Sequence, residues 1–119
     1  MAPEAVLFDL FGTLIGPYRF REHQQWLAEA AIVLNTDQRR CTELWTATWA
    51  RRARGEFRSI EENLGVLGPG AAADELAKAA RMYEAFTIES LAPKPDAIDV
   101  LRGLRERGMR TALVTNLCS

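Results

Sequence analysis

Two short apolar segments at opposite ends of a long helical region constrain the fold of this chain more than any other feature. The first, AVLFD, spans residues 5–9 and precedes a turn signal at Gly12, and the second, TALVT, spans residues 111–115. Continuously apolar segments of this length are typical of strands that are buried on both faces of a parallel sheet. The sequence therefore predicts an α/β fold, in which the last helix and the second segment form the end of a crossover connection.

The region between the two strands is predicted to hold five helices, of which four precede the link Pro93-Lys94-Pro95 and one follows it. The periodicity places these apolar residues on inward faces: Trp26, Leu27, Ala30, Ala31 and Leu34; Cys41, Leu44, Trp45 and Trp49; Leu64 and Leu67; Leu76, Ala80, Tyr83 and Phe86; Ile98, Leu101 and Leu104. Local signals predict the ends of the helices. Asp37 is expected to cap a helix that runs to about Arg54, Ser59 and Glu62 form a capping box for the next helix, and Gly108 terminates the last one. Residues 17–91 are interpreted as a helical insertion, and residues 1–16 and 92–119 as part of an α/β core.

Composition excludes several classes of protein. The 15 basic and 16 acidic residues give a net charge of -1, which offers no general argument for nucleic-acid binding. Two cysteines and one histidine are too few for a disulfide framework or a typical zinc site. The sequence has no apolar run near the ~20 residues of a membrane span. It also begins without the features of a signal peptide, so a cytoplasmic protein is expected.

The chemistry-bearing residues follow the two predicted strands. Asp9 ends the first strand, where α/β folds bind ligands. The turn at Gly12 lets backbone N–H groups approach an anion. A carboxylate in that place can act as a nucleophile, although an isolated aspartate after a strand is more often a cap or turn residue. Thr115 and Asn116 end the second strand and could hydrogen-bond an anionic group near Asp9, although Thr115 could also simply terminate the strand.

The motifs at these two positions, FDLFGTL at residues 8–14 and LVTN at residues 113–116, resemble the first two motifs of the haloacid dehalogenase-like (HAD) hydrolase superfamily. The helix before the second strand is similar to the one that this family places there, and residues 17–91 resemble its inserted helical cap. The resemblance covers essentially the whole chain in the expected order. It implies a Rossmann-like parallel sheet with an α-helical cap.

The resemblance also implies roles for individual residues. Asp9 would be the nucleophile, and in metal-dependent members its carboxylate and the backbone carbonyl of Phe11 would bind Mg²⁺. Thr115 would hold an anionic group of the substrate, with Asn116 supporting it. The backbone facing the same group would be that of Leu10, Phe11 and Gly12.

One departure from the family pattern concerns the substrate. Phosphatases of the family carry a second aspartate two residues after the nucleophile as general acid and base, and Phe11 stands there in this chain. Losing acid catalysis typically costs ~10²–10⁴-fold in rate. A halide leaving group needs no proton, and the 2-haloacid dehalogenases carry an aromatic residue at this position. The expected substrate is a small anion, either a 2-haloacid with no cofactor or a small phosphoester with Mg²⁺.

A second departure concerns the end of the chain, which stops at Ser119, before the family's third-motif lysine and acidic fourth motif would follow. Lys78 and Lys94 precede the second motif and so cannot be the third-motif lysine. The chain is therefore expected to be a truncated, inactive fragment of a hydrolase, and whether it is an enzyme at all stays open. The alternative is a non-catalytic module that binds a partner, or a second copy, through the exposed edge of an incomplete sheet.

Residues in the helical region allow both structural and functional interpretations. Arg51, Arg52 and Arg54 end a helix, where cations are favoured and a solvated face is the default. Alternatively, Arg54 reaches a cleft and holds a substrate carboxylate or phosphate. The single histidine, His23, has no partner evident in the sequence and is expected at the surface.

Overall fold

The computed structural model describes residues 4–115, and this part of the chain contains two strands and six helices. In chain order these are β1 (Ala5–Phe8), α1 (Phe20–Val33), α2 (Gln38–Ala47), α3 (Trp49–Ala53), α4 (Ile60–Leu67), α5 (Ala73–Ser90), α6 (Ala97–Glu106) and β2 (Arg110–Leu113). The two strands pair in parallel, so the predicted α/β class is confirmed. None of the helices in this part has the length and apolarity that crossing a membrane requires.

The chain divides into two compact units. Among the described residues, the helical unit is Phe20–Thr87 and the strand unit comprises residues 4–19 and 88–115. The boundary lies in the last turn of α5, so the sequence leaves the strand unit after β1 and returns to it before α6.

The strand unit is built on the pair β1–β2, whose register runs from Ala5 opposite Arg110 to Phe8 opposite Leu113. Helix α6 packs against β2. Gly108 follows the C-cap of α6 and has a φ of +76°, a left-handed conformation, at the position where the sequence predicted the helix to end. Among the described residues of this unit, Ile15 and Ala97 are the buried apolar ones.

The prediction that both strands are buried on both faces was wrong. Leu7 is 68% exposed and Leu113 is 51% exposed. Parallel strands are buried when helices cover both faces of the sheet, and α6 is the helix that packs against this pair within residues 4–115. Helix α6 also begins at Ala97 instead of Pro95, and its Ile98, expected to face inward, is exposed.

The helical unit has a core in which the predicted apolar face of α1 is buried. Its buried residues are Trp26, Leu27, Ala30, Ala31, Leu34, Cys41, Leu64, Leu67, Ala79 and Ala80. On α1, the 3.6-residue period alone explains why Trp26, Leu27, Ala30 and Ala31 share one face of the helix. Asp37 and Ser59 cap α2 and α4 by accepting from the N–H groups of Arg40 and Glu62, as their sequence signatures predicted.

The predicted helix from residue 38 to residue 54 is broken in two at Thr48. The Thr48 hydroxyl donates to the carbonyl of Leu44 at 2.8 Å. The backbone of Thr48, with a φ of -91° and a ψ of 3°, departs from helical geometry and separates the two helices. Trp49, expected on the buried face, is exposed.

The single histidine was wrongly expected at the surface. His23 is only 6% exposed, and its ring lies 5.4–5.7 Å from the rings of Trp26, Trp45 and Phe86. Burial, and then the nearby cation of Arg52, lower the pKa of His23 below its usual 6.5. His23 is therefore a neutral member of an aromatic cluster.

Candidate functional site

The candidate site lies where β1 and β2 end. Val114 donates its N–H to the carbonyl of Phe8 at 2.8 Å, so the pairing continues one step past the strands. Extending the register of Phe8 opposite Leu113 places Asp9 beside Val114, one residue from Thr115. Asp9 is exposed and Thr115 is half-buried. The parallel pairing therefore brings these two predicted site residues to the same edge of the sheet, although they are far apart in sequence.

A compact loop follows Asp9 and is held by its own backbone. The carbonyl of Leu10 accepts three N–H groups at 3.1–3.2 Å, those of Thr13, Leu14 and Ile15. Gly12 has a φ of +74°, a conformation that favours glycine, which explains the turn signal in the sequence. The loop is thus a preformed turn that begins directly at the candidate nucleophile.

The hydrogen bonds of this loop determine which N–H groups are available to an anion. Gly12 donates its N–H to the carbonyl of Gly16 at 3.1 Å. The N–H groups of Leu10 and Phe11 make no hydrogen bond within residues 4–115. Of the three backbone positions predicted to face the substrate, Leu10 and Phe11 keep donors for it, whereas the Gly12 N–H is already used.

Lys94, from the link before α6, is bonded to this loop. Its backbone N–H donates to the carbonyl of Leu14 at 2.8 Å, and its ammonium Nζ donates to the carbonyl of Gly12 at 2.9 Å. The adjacent Pro93 forms a bridge with Ile15. Lys94 was not predicted at the site, because no spacing rule connects it to Gly12, 82 positions away in the sequence.

Phe11 occupies the position where phosphatases of the resembling family carry a second aspartate. Its half-buried ring packs edge-to-face on the ring of Tyr18, with centroids 5.8 Å apart. The ring holds no exchangeable proton, so at this position the chain offers packing and no acid.

Arg54, the predicted anion-binding residue of the helical unit, is the exposed C-cap residue of α3. Its guanidinium lies 2.6 Å from a carboxylate oxygen of Glu56, and Arg51 lies 3.0 Å from the other oxygen. Hydrogen bonds from Arg54 and Arg51 lower the pKa of the Glu56 carboxyl. Arg54 would have to exchange this partner to bind a substrate, and its role stays a prediction. Asn116 lies outside the described residues.

Metal binding at this site depends on the donors that the loop provides. Residues 4–115 contain no group of three or more His, Cys, Asp or Glu side chains that could hold a metal ion. Asp9 is the single carboxylate between residues 8 and 16. Mg²⁺ is commonly bound by one or two carboxylates together with substrate phosphates. A Mg²⁺ site formed by the Asp9 carboxylate and the Phe11 carbonyl stays a prediction.

Comparison with known proteins gave one finding. A family model described as haloacid dehalogenase-like hydrolase matches residues 3–116. Searches of curated proteins and of solved structures gave no match.

Proposed function

The chain belongs to the haloacid dehalogenase-like hydrolase family, and on that premise we propose that Asp9 is a nucleophile acting on a small anionic substrate. The observation that carries the proposal is the position of Asp9. Asp9 is exposed, directly follows β1, lies at the same sheet edge as Thr115, and precedes a loop in which the Leu10 and Phe11 N–H groups make no hydrogen bond within residues 4–115. The helical unit would then be the cap of this family, as residues 17–91 were interpreted.

The substrate we propose is a 2-haloacid. A carboxylate oxygen of Asp9 attacks the carbon that bears the halogen, and the halide leaves with the bonding electrons. Water then cleaves the resulting ester, which restores Asp9 and releases the 2-hydroxy acid and a proton. No step requires a proton donor at the leaving group, which is consistent with Phe11 at the position of the general acid.

The anionic group of the substrate is proposed to bind to donors from both strands and the loop. The Leu10 and Phe11 N–H groups and the Thr115 hydroxyl supply hydrogen bonds, and Asn116 is expected to support Thr115. The Lys94 ammonium, bonded to the Gly12 carbonyl at 2.9 Å, places a positive charge on the same loop. Arg54 would be a further anion ligand from the helical unit.

A small phosphoester is the alternative substrate. In that case Mg²⁺ would be held by the Asp9 carboxylate and the Phe11 carbonyl, and it would offset the repulsion between Asp9 and the phosphate. Phe11 would leave the departing alkoxide to take its proton from water, which predicts slow turnover of poor leaving groups.

The test measures halide release from 2-chloropropionate with EDTA present, and p-nitrophenol release from p-nitrophenyl phosphate with Mg²⁺. It uses the native protein that carries this sequence. Single turnover in ¹⁸O-water followed by mass spectrometry of the Asp9 peptide detects the covalent ester. Asp9→Asn is the test variant. Asp96→Asn is the matched control, since Asp96 is an exposed residue whose side chain makes no cap hydrogen bond.

The native protein is expected to release halide and to incorporate ¹⁸O into Asp9, and Asp9→Asn is expected to lose both signals. Turnover that leaves Asp9 unlabelled would reject the nucleophile assignment. Strict Mg²⁺ dependence with phosphoester hydrolysis alone would favour the alternative substrate.

A second candidate function is a binding module that associates through its sheet. The exposure of Leu7 and Leu113, and of Val114 at 62%, favours this candidate, because apolar residues on an unpaired sheet promote association. It predicts a defined oligomer in sedimentation equilibrium that Leu7→Lys dissociates. A monomer at all concentrations would reject it.

A further inference from the structure

The hydrogen bonds of the loop after Asp9 converge on one oxygen atom, the carbonyl of Leu10. It accepts the N–H of Leu14 at 3.1 Å and those of Thr13 and Ile15 at 3.2 Å. A carbonyl oxygen has two lone pairs, so three donors exceed the number that it accommodates in ordinary geometry. These donors draw electron density from the peptide group to which the oxygen belongs.

The same peptide group contains the N–H of Phe11, because a peptide bond joins the carbonyl of one residue to the nitrogen of the next. Within residues 4–115 this N–H makes no hydrogen bond. Resonance couples the two ends of the peptide group, so donors at the Leu10 oxygen make the Phe11 N–H a stronger donor. Hydrogen bonds in a chain polarise one another in this way, with a strengthening of about 10–30% per bond. The Phe11 N–H is therefore the polarised end of the network in the loop.

The ammonium group of Lys94 joins this network from outside the loop. Its Nζ donates to the Gly12 carbonyl at 2.9 Å. That carbonyl shares a peptide group with the Thr13 N–H, which is one of the three donors to Leu10. A first chain of hydrogen bonds thus begins at a positive charge and reaches the Leu10 carbonyl through one intervening peptide group.

The backbone N–H of Lys94 begins a second chain to the same oxygen. It donates to the Leu14 carbonyl at 2.8 Å, and that carbonyl shares a peptide group with the Ile15 N–H. The Ile15 N–H is another of the donors to Leu10. A bridge between Pro93 and Ile15 keeps the link beside the loop. Both chains lie within the strand unit, so this network is a feature of that unit by itself.

The N–H of Leu10 provides an internal comparison. It belongs to the peptide group of the Asp9 carbonyl, which accepts no hydrogen bond from a backbone N–H within residues 4–115. The N–H groups of Leu10 and Phe11 are neighbours in the loop, but the two chains connect only the second of them to Lys94.

We propose that Lys94 is a positioning residue that acts through these two chains and makes the Phe11 N–H the stronger of the two anion donors beside Asp9. Lys94 need not touch the substrate, since its effect passes through the peptide groups of the loop. Donors that are oriented before the anion arrives need no reorganisation when it binds. The inference rests on the proposed function for the identity of the anion, which is the carboxylate of the 2-haloacid, and not for the polarisation of Phe11.

The first test compares backbone ¹⁵N resonances in the whole protein, without ligand, and in three variants. Lys94→Met removes the ammonium group and keeps the backbone N–H, and Lys94→Arg keeps a charged donor. Lys78→Met is the control, which removes a charge from an exposed residue of the helical unit. When a carbonyl loses a hydrogen bond, the ¹⁵N resonance of its own peptide group moves upfield. Lys94→Met should therefore move the resonances of Thr13 and Phe11 upfield and leave that of Leu10 in place.

The control resonances distinguish the chains from other effects of the substitution. The Ile15 resonance should stay in place in Lys94→Met, because the second chain begins at a backbone N–H that remains. Shifts of Leu10 or Ile15 as large as that of Phe11 would indicate a field acting through space or a displaced loop, and they would overturn the proposal. An unmoved Phe11 resonance would overturn it as well. Lys94→Arg should match the wild type, and a match with Lys94→Met instead would reject the role of the charge.

The second test measures anion binding at the same N–H. Propionate carries the carboxylate of the proposed substrate without the halogen, and its titration should move the Phe11 amide proton downfield. Lys94→Met should weaken propionate binding about 10-fold, whereas Lys94→Arg should retain it. Propionate that leaves the Phe11 proton in place, or that binds Lys94→Met and the wild type equally, would overturn the assignment of this N–H as the polarised donor.

Neither test requires turnover, so a failure of this inference is distinguishable from a failure of the proposed hydrolase mechanism. The expected Phe11 shifts in a protein whose Asp9 stays unlabelled in ¹⁸O-water would support the inference and reject the nucleophile. A labelled Asp9 together with an unmoved Phe11 resonance in Lys94→Met would support the nucleophile and reject the inference.

Discussion

Gly68 and Gly65 should respond in opposite directions to the same change, glycine to alanine. Gly68 follows α4 with a φ of -129°, which alanine adopts freely, so the backbone does not oppose the substitution. A Cβ at Gly68, however, would lie 2.8 Å from the Cβ of Leu34 and 3.2 Å from its carbonyl oxygen. Leu34 is 2% exposed and hydrogen-bonded to the last turn of α1 at 2.8 Å, so these atoms cannot move aside freely.

The size of the effect follows from this overlap. Carbon atoms in contact normally lie about 3.5–4.0 Å apart, so the new methyl group would be about 0.7 Å or more too close to Leu34. Overpacking of this kind typically costs about 1–3 kcal/mol of the free energy of unfolding. At Gly65, inside α4, a Cβ meets no heavy atom within 4 Å. Gly65→Ala should therefore stabilise the fold by about 0.5–1 kcal/mol through helix propensity.

The assay is equilibrium unfolding in urea followed by tryptophan fluorescence, because Trp26 and Trp45 lie in the same unit as both glycines. Gly68→Ala should lower the urea midpoint and Gly65→Ala should raise it, with similar dependence on denaturant. If Gly68→Ala unfolds at or above the wild-type midpoint, the proposed contact between α4 and the end of α1 is incorrect.

Three further predictions concern buried and loop residues. Folding lowers the pKa of His23, so its contribution to stability is complete above pH 6.5 and is lost as the pH falls below that value. Thermal melts should show a lower Tm at acidic pH, and His23→Phe should reduce this dependence of Tm on pH. Burial raises the pKa of the Cys41 thiol. In a Cys118→Ser background, Cys41 should therefore react with a thiol reagent only after denaturation. If the folded protein reacts as fast as a free thiol in solution, Cys41 is accessible and the expectation is wrong. Lys94→Met should raise KM for the anionic substrate about 10-fold, whereas Lys94→Arg should leave KM close to the wild-type value because it keeps the positive charge. The control is Lys78→Met, which removes a charge from an exposed residue. An unchanged KM in Lys94→Met would show that the Lys94 charge does not contribute to the proposed site.

The local parts of the fold were predictable because their causes lie within a few residues. The apolar face of α1 follows from a 3.6-residue period, and the caps at Asp37 and Ser59 follow from side chains that reach the N–H three residues ahead. Thr48 shows the limit of this reasoning. Its position in a helical pattern predicts continuity, but its backbone, with a φ of -91° and a ψ of 3°, departs from helical geometry and separates α2 from α3.

The candidate site was predictable in its motif residues and not in its surroundings. Asp9 and Thr115 each follow an apolar segment, and the carboxyl ends of parallel strands share an edge, so their proximity follows from the fold class. Within residues 4–115, the Gly12 N–H donates to the Gly16 carbonyl, whereas the N–H groups of Leu10 and Phe11 make no hydrogen bond. No pattern in the sequence distinguishes these three backbone groups.

The sequence alone determined the family, the α/β class, the caps at Asp37 and Ser59 and the pair of residues at the strand ends, because each rests on short-range patterns or on motif order. The tertiary structure alone decided that Lys94 contacts the loop after Asp9, that His23 is buried among aromatic rings, and that Arg52 lines a cavity while its neighbour Arg54 pairs with Glu56. Those outcomes depend on packing between segments that are distant in the chain. Burial and charge pairing are properties of neighbours in space, and the order of residues does not specify them by itself.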